Sequence, residues 1–119
     1  MKTIKPTLLS TLFISMIFYS CKKESDVGSY DCSSIVVGYA KEIKPIMDKN
    51  CVSCHNANNK GSGYDLSDYS SVKTSASSSA FMGSIEHRSG YDAMPKGGSK
   101  LNQTDLQKIY CWINNGFAQ

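Results

Sequence analysis

The chain has 119 residues, room for one domain at most, with 40% apolar and 19% charged residues. Thirteen basic residues stand against ten acidic ones, a formal charge of +3. No basic stripe runs along any segment, which excludes nucleic acid as a partner.

Lys2 and Lys5 precede an almost wholly apolar stretch over residues 8–19, followed by the small Ser20 and by Cys21. That stretch is short of the ~20 apolar residues a membrane-spanning helix needs. Basic start, short apolar core and small residue together form the pattern of a secretory signal over residues 1–20. Removing it takes two lysines and no acid, leaving 11 basic residues against 10 acidic ones, so the mature chain is nearly neutral. Cys21 resembles the lipid-bearing Cys of the bacterial lipoprotein lipobox, although Phe18 and Tyr19 replace its usual Leu and small residue. An ordinary cleaved signal and an uncleaved anchor are the alternatives. Residues 21–31 are polar and without apolar period, a flexible tether from Cys21 to a domain over residues 32–119. The resemblance implies a cell-envelope protein, periplasm-facing or surface-exposed, anchored to the membrane through Cys21.

Ile35, Val36 and Val37 form an extended lead-in ending at Gly38. Tyr39, Ile43, Ile46, Met47 and Cys51 then recur at spacings of three and four, which predicts a short helix over residues 42–51 with Pro45 in its first turn. Residues 56–65 are a loop rich in Asn, Gly and Ser. Short helices are predicted within residues 66–76, around Tyr69 and Val72, and over residues 80–86, with Phe81, Met82 and Ile85 inward. Residues 88–100 are loop again. The last helix is capped by Asn102, carries Leu106, Ile109, Tyr110 and Ile113 on one face, and ends at Gly116. With no strand alternation anywhere, the fold class is all-α.

The densest chemistry lies at Cys51-Val52-Ser53-Cys54-His55. Thiols at i and i+3 of a helical turn share a side. There they can form thioethers with one haem edge, and the following His offers an imidazole to the iron. C-x-x-C-H is read as a c-type haem attachment for this reason. A four-cysteine zinc site with Cys32 and Cys111 competes poorly, because structural zinc draws its ligands as closely spaced pairs. A thioredoxin-like redox pair needs a βαβ setting that is absent, and a plain disulfide framework leaves His55 without a role.

Haem iron in electron carriers usually takes Met or His as a sixth ligand. Met47 lies on the same helix as the attachment site, and Met82 sits between Phe81 and Ile85 as core. Met94 occupies a glycine-rich loop just before Pro95, and is the favoured distal ligand over His87 and Met82. Cys32 and Cys111 are the two cysteines left over. In an exported chain they predict a disulfide, with two separate buried thiols as the alternative. Trp112 reads as packing core before it reads as a hydrogen-bond donor to a haem propionate. Lys96 and Lys100 beside the Met loop either guide an acidic partner or are simply solvated.

The helix ending in CxxCH, the Met94-Pro95-Lys96-Gly97-Gly98 loop and a last helix with Trp112-Ile113 near its end are similar to the class I cytochromes c, in particular small bacterial monohaem lipoproteins. The resemblance spans nearly all of residues 32–119. It implies N- and C-terminal helices packed around one covalently attached haem c, with Met94 on its iron. The role so implied is one-electron transfer between redox partner proteins by a monomer, and no enzymatic reaction. A ligand-binding or peroxidatic haem protein with a labile distal site is the alternative, and a structural lipoprotein stapled by disulfides a third.

Overall fold

The computed structural model describes residues 29–119. The signal segment, Cys21 and most of the tether lie outside these. The described residues hold four α-helices and no strand: α1 (Lys44–Asn50), α2 (Tyr69–Ala76), α3 (Ser79–Ile85) and α4 (Gln103–Asn114). The domain is all-α, and no helix among the described residues is long and apolar enough to cross a membrane.

The first helix differs from the expectation at its start. A π-helical turn over Tyr39–Ile43 leads into α1, with Pro45 in the first turn of the regular helix. Pro45 has no N–H, and its ring would collide with the Lys41 carbonyl in an uninterrupted α-helix. The wider turn shifts the bonding by one residue, so that the Ile43 N–H reaches the Gly38 carbonyl. The Glu42 carboxylate accepts from the Gly38 N–H at 2.8 Å, satisfying a donor at this irregular start.

The other helices begin at side-chain caps. Asp68 accepts from the Ser70 and Ser71 N–H groups before α2. The Ser78 hydroxyl accepts from the Ala80 N–H before α3. Asn102 accepts from the Asp105 N–H at 2.9 Å before α4 and donates its amide to the Asp105 carboxylate at 2.8 Å, a reciprocal arrangement like a capping box.

The core gathers Ile43, Met47, Val72, Leu106, Ile109 and Trp112, all almost fully buried. Met82 and Ile85 are buried as expected, whereas Phe81 is only partly so. In the C-terminal half of α4, Cys111 and Trp112 are as fully buried as Ile109, while Tyr110 and Ile113 are half-buried. This helix is covered on two sides. Trp112 meets Tyr39 of the π-turn (ring centroids 5.8 Å) and Phe117 edge-on (4.9 Å), and Cys111 meets the lead-in segment, with its Sγ 2.03 Å from that of Cys32.

Candidate haem site

After Asn50 the helical register ends in tight turns. The Cys51 carbonyl accepts from both the Cys54 N–H (3.1 Å) and the His55 N–H (2.9 Å), so one peptide oxygen holds the pentapeptide in a single turn. Both cysteines are free thiols, Cys51 half-buried and Cys54 exposed. Burial pushes the Cys51 thiol up to about 11, keeping it neutral at physiological pH.

The chain then folds back under His55. The Gly61 N–H donates to the Cys54 carbonyl (3.1 Å) and the Leu66 N–H to the His55 carbonyl (2.9 Å). Gly61 lies flat against the imidazole, and a Cβ there would stand 3.0 Å from His55 Cε1. Nothing in the sequence distinguished this glycine from its loop neighbours, because the close approach exists only once the loop has closed. His55 Nδ1 is buried without a hydrogen-bond partner.

His55, Cys51 and Cys54 open on a cavity of about 620 Å³ that Met94 also lines. This lies within the range of cofactor and ligand sites, roughly 300–1,000 Å³. Its apolar wall includes Leu66, Phe81, Ile85 and Leu101, and Tyr64 and Tyr91 stand at it partly exposed. Phe81 is thus half-open because it faces the cavity. The chain therefore brings together four of its predicted site residues, from two segments 39 positions apart in sequence.

The other candidates lie off the cavity. Met47 and Met82 are buried in the core. The His87 ring is turned toward the Met94 backbone, with Nε2 3.0 Å from its carbonyl oxygen. The indole N–H of Trp112 donates to the Ala118 carbonyl at 2.7 Å, so that donor is already used. Cys32 and Cys111 face each other, which takes them from any zinc set with Cys51 and Cys54. A second cavity of about 430 Å³ is lined by Lys60, Tyr64, Asp65 and serines of α2, and holds no Cys, His or Met.

These residues fit a haem. The His55 imidazole, two free thiols and a thioether around one largely apolar cavity form a donor set of nitrogen and soft sulfur suited to haem attachment and ligation. The family described as cytochrome c oxidase, cbb3-type, subunit III matches residues 39–113. The chain belongs to this family. It is a class I c-type cytochrome, and membership implies one covalently attached haem c with its iron, serving electron transfer. Cytochrome domains of this type are typically extracytoplasmic. No curated protein and no solved structure matches the chain.

Proposed function

We propose that this cytochrome is a one-electron carrier held at the membrane surface of the bacterial cell envelope by a lipid on Cys21. Cys51 and Cys54 would hold the haem through thioethers, and His55 and Met94 would ligate its iron. The observation that supports this most is that His55 and Met94, from separate segments, line the same cavity as both free thiols.

Bound there, haem supplies a one-electron Fe(II)/Fe(III) couple. The chain's own residues do the rest. Two covalent bonds to Cys51 and Cys54 retain a cofactor that so small a domain cannot enclose by packing alone. His55, braced by Gly61, offers its imidazole from a fixed direction. Met94 offers a soft thioether, which favours the reduced state relative to a second His. With His55 and Met94 both committed to the iron, no ligand position would remain for a substrate, and the site would carry electrons between donor and acceptor proteins. The exposed aromatics Tyr64 and Tyr91 mark the side on which such partners meet the cavity. Cys32 and Cys111 form a disulfide that ties the end of the tether to α4.

The optical spectrum of the protein matured with its haem tests this. The weak long-wavelength band of Met-ligated ferric haem is expected in the parent and absent in Met94→Ala. Immediate binding of cyanide or CO by the parent would favour the alternative with a labile distal site, and loss of all haem on denaturation would end the cytochrome reading. For the anchor, Cys21→Ser is expected to shift the protein from the membrane to the soluble fraction; an unchanged distribution counts against lipidation.

A further inference from the structure

Two helix ends in this fold close with the same pair of hydrogen bonds, α4 through left-handed Gly116 and Phe117 and α3 through left-handed His87. After α4 the Phe117 N–H donates to the Trp112 carbonyl at 2.9 Å and the Gly116 N–H to the Ile113 carbonyl at 3.2 Å. The first left-handed residue of that motif is Gly116, at φ 86°. After α3 the same pair of bonds recurs, from the Arg88 N–H to the Gly83 carbonyl at 2.9 Å and from the His87 N–H to the Ser84 carbonyl at 3.1 Å. Here the left-handed residue is His87, at φ 56°. Glycine takes this position freely because it lacks a Cβ, and any other residue is penalised there. A side chain that persists in such a place points to a use for it.

The His87 ring has one. Its Nε2 stands 3.0 Å from the Met94 carbonyl oxygen, which can only accept, so Nε2 carries the proton. The loop over residues 89–100 rests on α3 through the Tyr91 ring, which packs on Gly83. Apart from a local turn between Arg88 and Tyr91, the hydrogen bonds that tie it to α3 and its cap, among the described residues, both fall on Met94. One is the His87 contact, and the other runs from the Met94 N–H to the Ser84 carbonyl at 3.0 Å. Pro95 follows and has no N–H to give. The backbone that presents His87 is itself braced: Glu86 is buried, accepts from the Tyr30 hydroxyl at 2.7 Å and pairs with Arg88.

We infer that His87 is a positioning residue, whose imidazole, presented by the left-handed turn after α3, holds the Met94 backbone so that the thioether stays at the cavity. The inference rests on the reading of Met94 as distal ligand.

The haem-loaded ferric protein tests it through H87G and H87Q, with M94A as reference. The readouts are the rate at which excess imidazole abolishes the long-wavelength band, and the thermal midpoint. H87G puts at this turn the residue type that the end of α4 already uses, so the midpoint is expected to hold or rise. Imidazole uptake is expected to quicken roughly 2- to 10-fold, the range that losing one hydrogen bond allows. H87Q keeps an N–H donor and is expected to bring the rate back toward the parent's. H87G exchanging at the parent rate overturns the inference and leaves Met94 as ligand. Faster exchange that merely follows a lowered midpoint also overturns it, His87 then being only a cap. A band that survives in M94A overturns the Met94 reading, and this inference with it.

Discussion

At the scale of single residues, the chemistry of this domain is arranged by small local contacts. Asp68 collects four donors, the N–H groups of Ser70 (2.9 Å) and Ser71 (3.0 Å) and their hydroxyls at 2.7 and 2.8 Å. These bonds, the Ser70 hydroxyl foremost, lower its carboxyl from 3.8 to about 2. A carboxyl depressed in the folded state adds stability above its unfolded value and loses it as pH falls through the folded one. Asp68→Ala is expected to cost about 1 kcal/mol at neutral pH through loss of the cap, toward the low end because the group is solvent-screened. The difference from the parent should shrink as pH falls from 3.8 to about 2. Denaturant melts of both proteins across that window check it, and a pH-independent difference would remove the carboxylate from the explanation. The two thiols at the cavity differ in exposure: Cys54 is open to solvent, while Cys51 is half-covered.

The elements show how each helix serves the cavity. The π-turn and α1 deliver the Cys51 turn, and α3 carries the Met94 loop on its flank. Gly83 makes the second of these arrangements workable. A Cβ at this buried helical position would stand 2.5 Å from Cδ2 of the Tyr91 ring. Gly83→Ala therefore gains about 1 kcal/mol in helix propensity but overpacks a ring contact, a fault that typically costs about 1–3 kcal/mol. Tyr91 is partly exposed and can swing outward, so the expected outcome is a near-unchanged melting point with a loosened loop. Faster tryptic cleavage at Lys96 than in the parent would register it; an unchanged cleavage rate would mean that Tyr91 does not pin the loop.

Across the whole molecule, both ends of the described chain are fastened to the helices. At the C-terminal end, the Phe117 carbonyl accepts from the Tyr69 hydroxyl (2.8 Å), and the Ala118 carbonyl from the Trp112 indole (2.7 Å) and the Tyr39 N–H (2.9 Å). Two carbonyls thereby join α2, α4 and the π-turn. At the other end the Tyr30 ring packs tilted against Tyr110 (centroids 5.0 Å) and its hydroxyl bonds Glu86, and burial together with that carboxylate raises its phenol well above the usual value. Gln107 donates to the Asp31 carbonyl at 2.8 Å. The bond proposed between Cys32 and Cys111 closes a loop with a sequence separation of 79. On the chain-entropy account a loop of this length is worth about 4–5 kcal/mol. Replacing both residues by Ala should lower the denaturant midpoint accordingly. An equal midpoint, or two free thiols in the native haem-loaded protein, would count against the bond.

The proposed attachment site was readable from the chain alone, because CxxCH needs only five contiguous residues whose spacing is set by one helical turn. The sequence by itself determined the helical class and the start of α4 for the same reason: apolar period and capping side chains act within a few residues of where they stand. Met94 stood out as a candidate by its loop and Pro95, yet only the folded chain brings that loop to the His55 cavity. The π-turn was hidden, since a missing N–H at Pro45 permits either a helix start or a widened turn, and packing against α4 selects between them. The burial of Cys111 and Trp112, the donor role of Trp112 and the contact of His87 with Met94 were decided by tertiary structure alone. Each depends on a partner brought up from another segment, or on a backbone turn that presents the ring, and no local period records such a meeting.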